Sequence, residues 1–102
     1  MTVGVLATLR VEGANAERVR DALLALAQHA AHEPGTELFE VHETIDHIGQ
    51  FVIFERYCDE AAVLVHRTSA AMDSFRAVLR QAEVRPDVVF LTPLRGGRPP
   101  QS

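Results

Sequence analysis

An imidazole, a carboxylate and a phenol fall close together in the stretch FERYCDEAAVLVHRTSAAMDSF, residues 54–75: His66, Glu55 and Tyr57. A histidine beside an apolar pocket can take a proton from, or hydrogen-bond to, an acidic phenol or enol. Tyr57 offers a ring and a hydroxyl to a flat molecule, and Glu55 can orient the imidazole. The same three residues have a plainer reading, in which His66 is a partly buried core histidine satisfied by a backbone carbonyl or by a carboxylate such as Glu55. The residue types leave both readings open.

Local signals fix the elements that carry these groups. Phe51, Val52, Ile53 and Phe54 are β-branched or aromatic, and Ile53, Glu55 and Tyr57 share one face of a strand at period two, with Arg56 on the other face. Asp59 is placed to cap a helix that starts there or at Glu60, and Glu60 adds negative charge at the positive end of the dipole. Ala62, Val63 and His66 then recur at helical spacing over about two turns. Ser69 is a second N-cap, and Met72, Phe75 and Leu79 form one face of the next helix.

The rest of the chain supplies a frame. Val3 to Glu12 alternates with apolar residues on both parities, as a central strand does. Gly13 marks a turn and Asn15 an N-cap; Val19, Leu23, Leu26 and Ala30 predict a long amphipathic helix running to about His32, stopped by Glu33-Pro34-Gly35. Thr36 to Thr44 has one apolar and one polar face, and turn residues Asp46 to Gly49 join it to the strand Gln50 to Tyr57 as a hairpin. Val88, Val89, Phe90 and Leu91 form a last strand, ending at Pro93. The order β-α-β-β-α-β predicts an α+β, ferredoxin-like sandwich with helices on one face of an antiparallel four-stranded sheet. Residues 1–94 form one domain, and 95–102, with two Gly and two Pro among polar residues, form a tail expected to be mobile unless a partner holds it.

Composition narrows the function classes. The chain has 102 residues, a formal charge of −4 and ten scattered basic residues, all arginine, which does not suit a nucleic-acid surface. The apolar run from Val3 is interrupted by Arg10 and Glu12 long before it could span a bilayer, so a cytoplasmic protein without membrane contact is expected. The single cysteine, Cys58, excludes an internal disulfide and reads as a small structural residue at a strand end. His29 and His32 with Glu33, and His42 with Asp46 and His47, do not match zinc spacings and read as solvated residues; no metal site is expected. There is no glycine-rich phosphate loop, Gly-x-Ser-x-Gly elbow or paired cysteine.

The segment around His66 resembles the antibiotic biosynthesis monooxygenase (ABM) domain family, whose pattern is a strand ending Glu-x-Trp, an acidic cap, a short helix ending in His, then Ser or Thr and an aromatic. The matching residues are Glu55, Tyr57 in place of the Trp, Asp59, His66, Ser69 and Phe75. The resemblance implies a dimeric α/β barrel with a pocket between sheet and helices. Its catalytic members oxidise electron-rich aromatic or quinol-type molecules with O₂ and no cofactor. On that reading His66, Glu55 and Tyr57 are catalytic, with His66 the base or hydrogen-bond partner and Glu55 its orienting group; Phe75, Met72 and Thr8 touch the substrate.

Two rivals share the fold. One is a non-catalytic pocket protein or small-molecule sensor. The other is haem breakdown, which relatives perform with an Asn on the first strand, a Trp and an axial His; here Thr8, His66 and Arg76 occupy those places, which does not fit. A homodimer is expected through the sheet face away from the helices, because a one-sided sandwich leaves that face bare and apolar residues occur on both parities of the first and third strands.

Overall fold

The computed structural model describes residues 1–96. Seven elements follow one another: β1 (Val3–Arg10), α1 (Asn15–Ala30), β2 (Thr36–Glu43), β3 (Gln50–Tyr57), α2 (Glu60–Arg67), α3 (Ala70–Ala82) and β4 (Asp87–Leu91). The strands pair antiparallel in the order β2-β3-β1-β4, so β3 is inserted between the two strands that α1 connects. This is the expected ferredoxin-like α+β sandwich, with its second helix divided in two at Thr68 and Ser69.

The division has a local cause on each side. Asp59 accepts the Ala62 N–H at 2.8 Å and opens α2, while Ser69 accepts the Met72 N–H at 3.2 Å and opens α3. Both caps are where the sequence places them. The start of α1 differs from expectation: Ala14 is the cap residue, without a side-chain bond, and Asn15 is already helical. Gly13, at φ 65°, turns the chain so that its own carbonyl accepts the Ala16 N–H, which does the work expected of the asparagine.

Period-two alternation sorts the sheet into unlike faces. Toward the helices point Val5, Ala7 and Leu9 of β1 and Phe51 and Ile53 of β3; all but Val5 form a buried core with Val19, Leu23 and Leu26 of α1 and Phe75 and Leu79 of α3, while Val5 packs with Tyr57 and Ala62. Away from the helices point Leu6 and Thr8, cross-strand from Phe54 and Val52 on one side and from Val89 and Asp87 on the other. The edge strand β4 is exposed along its whole length although four of its five residues are apolar.

The loop that ends α1 is held close to α2. Gly35 sits at φ 83°, and a Cβ there would come within 2.6 Å of the Ala62 Cβ. Only glycine permits both the dihedral and the approach. The Cys58 N–H donates to the Gly35 carbonyl at 2.9 Å, tying the loop to the end of β3. Leu94 to Gly96 are exposed and without regular structure; the remainder of the tail, from residue 97, lies outside the described residues. No described helix is long and apolar enough to cross a membrane.

Candidate active site

Beside His66 lies a cavity of about 260 Å³, enclosed by the helix-facing side of the sheet, by α1 and α3, and by Val88 and Phe90 of β4. Its wall is mainly aliphatic and aromatic: Val5, Ala7, Leu23, Phe39, Met72 and Phe75 are representative. The polar groups that reach it are Glu55, Tyr57, His66, Arg67 and Arg76.

At the closed end, four side chains form one cluster. His66 Nδ1 lies 2.7 Å from Glu33 Oε1, and the two side chains are only 5% and 7% exposed. His66 Nε2 lies 3.8 Å from Glu55 Oε1, too far for a hydrogen bond but close enough for a strong charge interaction away from water. The Tyr57 hydroxyl donates to that same Glu55 oxygen at 2.5 Å, and Tyr57 is fully buried. The His66 ring packs against Phe39 and Tyr57, with centroids 5.3 and 5.6 Å away.

Each position follows from the fold. Glu55 and Tyr57 are successive helix-facing residues of β3, and His66 is on the inner side of α2. Glu33 arrives from the loop that Gly35 pins against α2. In the tautomer that donates from Nδ1 to Glu33, Nε2 presents a lone pair on the Glu55 side. Burial pushes the Glu55 carboxyl above the usual carboxylate range, with the Glu33 charge adding to the rise, against the opposing pull of the Tyr57 hydrogen bond and of His66. Burial, then Glu55 itself, pushes the Tyr57 phenol upward, so it stays a hydrogen-bond donor. The cluster can therefore accept, hold and return a proton at the wall of an apolar cavity.

Of the residues singled out in the sequence, His66, Glu55, Tyr57, Phe75 and Met72 line one cavity. Thr8 does not. Side chains alternate along β1, and Thr8, paired with Val52 and Asp87, is on the helix-free face while its neighbours Ala7 and Leu9 face the cavity. The carboxylate in hydrogen-bond contact with the ring is Glu33, at Nδ1; Glu55 stands 3.8 Å from Nε2. The sequence presents Glu33 only as part of a helix stop, or as company for His29 and His32, whereas its carboxylate meets His66. The hairpin register holds the one signal that finds it: Thr36 pairs with Tyr57, so the residues just before Thr36 must lie beside the start of α2. Among the described residues no group of three His, Cys, Asp or Glu side chains is arranged to hold a metal ion.

The fold and this cavity define an α+β sandwich with a pocket between sheet and helices. The family model for antibiotic biosynthesis monooxygenase matches residues 2–78, and the chain belongs to that family. No curated protein matches it. Among solved structures, Rv0793 from Mycobacterium tuberculosis is 26% identical, with 96% of this chain and 100% of that one covered at a TM-score of 0.87. A candidate antibiotic biosynthesis monooxygenase from Deinococcus radiodurans is 20% identical over 99% of this chain and 100% of its own, also at 0.87. A point mutant of SnoaB, a cofactor-independent oxygenase from Streptomyces nogalater, is 18% identical over 93% and 95% at 0.80, a likeness of fold alone.

Proposed function

We propose that the chain is a cofactor-independent monooxygenase acting with O₂ on a small hydroxyaromatic or quinol-type molecule. The observation that carries this reading is the buried Glu33, His66 and Glu55 series opening on an apolar cavity. His66 Nε2 takes the substrate's acidic proton while Glu33 holds the opposite nitrogen and stabilises the imidazolium that forms, much as the acid of a hydrolase triad does, with the Glu55 carboxylate 3.8 Å from Nε2 adding to that stabilisation. The electron-rich anion then reduces O₂ by one electron, and the radical pair joins to a peroxide. Loss of water leaves one oxygen atom in the product as a carbonyl and the other in water. The substrate supplies all the electrons, so the protein contributes a base, orientation and dryness. Phe75, Met72 and Phe39 serve as the walls that orient the ring.

The same reading places two copies sheet to sheet. Phe54, Val89 and Leu91 are exposed apolar residues on the helix-free face, beside Leu6 and Val52, and a second copy would cover them. Light scattering at micromolar concentration tests this, with a dimer expected and a monomer contradicting it. A reducing cytoplasm suits the one exposed free thiol, Cys58.

Oxygen uptake tests the activity. An anthrone-like substrate should be consumed in air by protein freed of metals and flavins, with about one O₂ used per molecule oxidised. Binding of that substrate with no uptake would support instead a sensor on the same fold.

A further inference from the structure

The cavity has a second polar end that proton transfer does not use. Arg67 closes α2 and Arg76 lies in the second turn of α3; both line the cavity, Arg67 is exposed and the Arg76 side chain is 37% exposed, so this is the side of the cavity where charged groups meet solvent. Arg76 is held in place: one terminal nitrogen donates to the Arg67 carbonyl at 2.8 Å and the other lies 3.3 Å from Asp73 Oδ1. Arg67 extends over the Phe90 ring, with its guanidinium carbon 6.0 Å from the centroid, at the outer limit of a cation–π contact. Among the described residues the Arg67 side chain makes no hydrogen bond or ion pair, and Asp73 is the one carboxylate paired with Arg76. Two guanidiniums with donors to spare thus stand at the open side of an otherwise apolar chamber whose closed end holds carboxylates. The formal charge of the whole chain is −4, so a general attraction for anions does not explain them.

The geometry points to an anion-recognising mouth: Arg67 and Arg76 bind a carboxylate on the substrate while its hydroxyl-bearing ring enters the cavity toward His66. Arginine is suited to this because its planar fork matches a carboxylate in two parallel hydrogen bonds. The polarity of the chamber also orients the ligand. An anionic group is repelled by Glu33 and Glu55 at the closed end and attracted at the mouth, so the neutral, protonated hydroxyl is the end that reaches the base. The substrate class is thereby narrowed within the hydroxyaromatics to those that also carry a carboxylate, with neutral phenols and quinols as weaker-binding members. This rests on the reading of the cavity as a substrate site, but not on turnover.

The test separates the two. Calorimetric titrations under nitrogen compare hydroxynaphthoate, with hydroxyl and carboxylate on opposite rings, against naphthol, which lacks the carboxylate. The expected result is hydroxynaphthoate bound about tenfold or more tighter than naphthol, the usual worth of hydrogen bonds to a charged group. Arg67→Gln should lose about tenfold in hydroxynaphthoate affinity while naphthol affinity changes less than twofold. Arg67→Gln carries the test because it breaks no described hydrogen bond or ion pair; Arg76→Gln, which also unties α3 from the end of α2, should show the same selectivity if a melt shows it folded. Equal affinity for the two probes, an equal loss of both in Arg67→Gln, or no binding of either at millimolar concentration overturns the proposal. Oxygen uptake on the same samples is scored apart. Arginine-dependent binding without uptake upholds the mouth and refutes the oxygenase, whereas uptake with no preference for the anion does the reverse.

Discussion

Two carboxylates on the helix-facing side of the sheet, Glu43 and Glu55, meet nitrogen bases and have been driven in opposite directions. Glu43 is about a third exposed and receives two hydrogen bonds from Arg20, at 3.0 and 2.7 Å, and a third from the Gly49 N–H at 2.9 Å. The Arg20 hydrogen bonds, helped by Gly49, hold it below the usual carboxylate range. Glu55 is 11% exposed, has one neutral donor in Tyr57, and faces an imidazole 3.8 Å away. Burial wins there and raises it. A permanent cation in two-pronged contact makes a carboxylate inert, a clamp between α1 and the end of β2. An under-satisfied carboxylate beside a titratable ring keeps its proton exchangeable, which is what a site for acid–base chemistry needs.

The contrast is broken most severely at Glu33. Replacing it with Ala leaves His66 buried without its closest partner, which should cost about 3 kcal/mol and lower the melting midpoint on the order of 15 °C. Calorimetry or circular dichroism reads this directly. A loss no greater than that of a surface substitution would mean the pair contributes nothing to stability.

A smaller effect, with a sign that distinguishes the two carboxylates, comes from pH. Because Glu55 is raised in the folded state, the stability it confers is fully present below the unfolded carboxylate pKa of about 4.3 and is lost as pH rises through its folded value. Glu55→Gln should therefore match the wild type near pH 4 and melt a few degrees higher at neutral pH. Glu43 is lowered, so its contribution is present above the unfolded pKa and disappears as pH falls through the folded one; Glu43→Gln should be less stable than wild type at neutral pH and converge with it in acid. Melts of both variants across the acid range check the pair, and parallel curves would erase the distinction. The smallest effect is expected from Arg20→Gln, a modest drop in midpoint that shrinks further in molar salt, because the pair it breaks is open to screening. The Glu33→Ala loss should not respond to salt.

Most of the fold was legible because it is written in local periodicities. The strand faces, the Asp59 and Ser69 caps and the hairpin all follow from residues within a turn or two of one another; the same periodicities put Glu55 and Tyr57 on one strand face and His66, Met72 and Phe75 on apolar helix faces, and the resemblance joins them in one pocket. Thr8 was placed by resemblance rather than by parity, and parity puts it on the other face. Glu33 stands 33 residues from His66. No periodicity links the two; the contact exists because Gly35 lets a loop approach α2 more closely than any side chain allows. The exposure of β4 was equally invisible, since an apolar run reads the same whether its own chain or a second copy covers it.

The central claim is that the buried histidine at the cavity wall is the base of an O₂-dependent oxidation, and oxygen uptake by His66→Ala tests it most directly, with a melt of the same sample. The account predicts a fall of about 10²-fold or more in turnover of an anthrone-like or hydroquinone substrate, the usual worth of a positioned base, and a loss of stability of about 1 to 3 kcal/mol from the unpartnered Glu33. Turnover equal to the wild type, with the midpoint lowered all the same, would contradict it and leave His66 a structural residue.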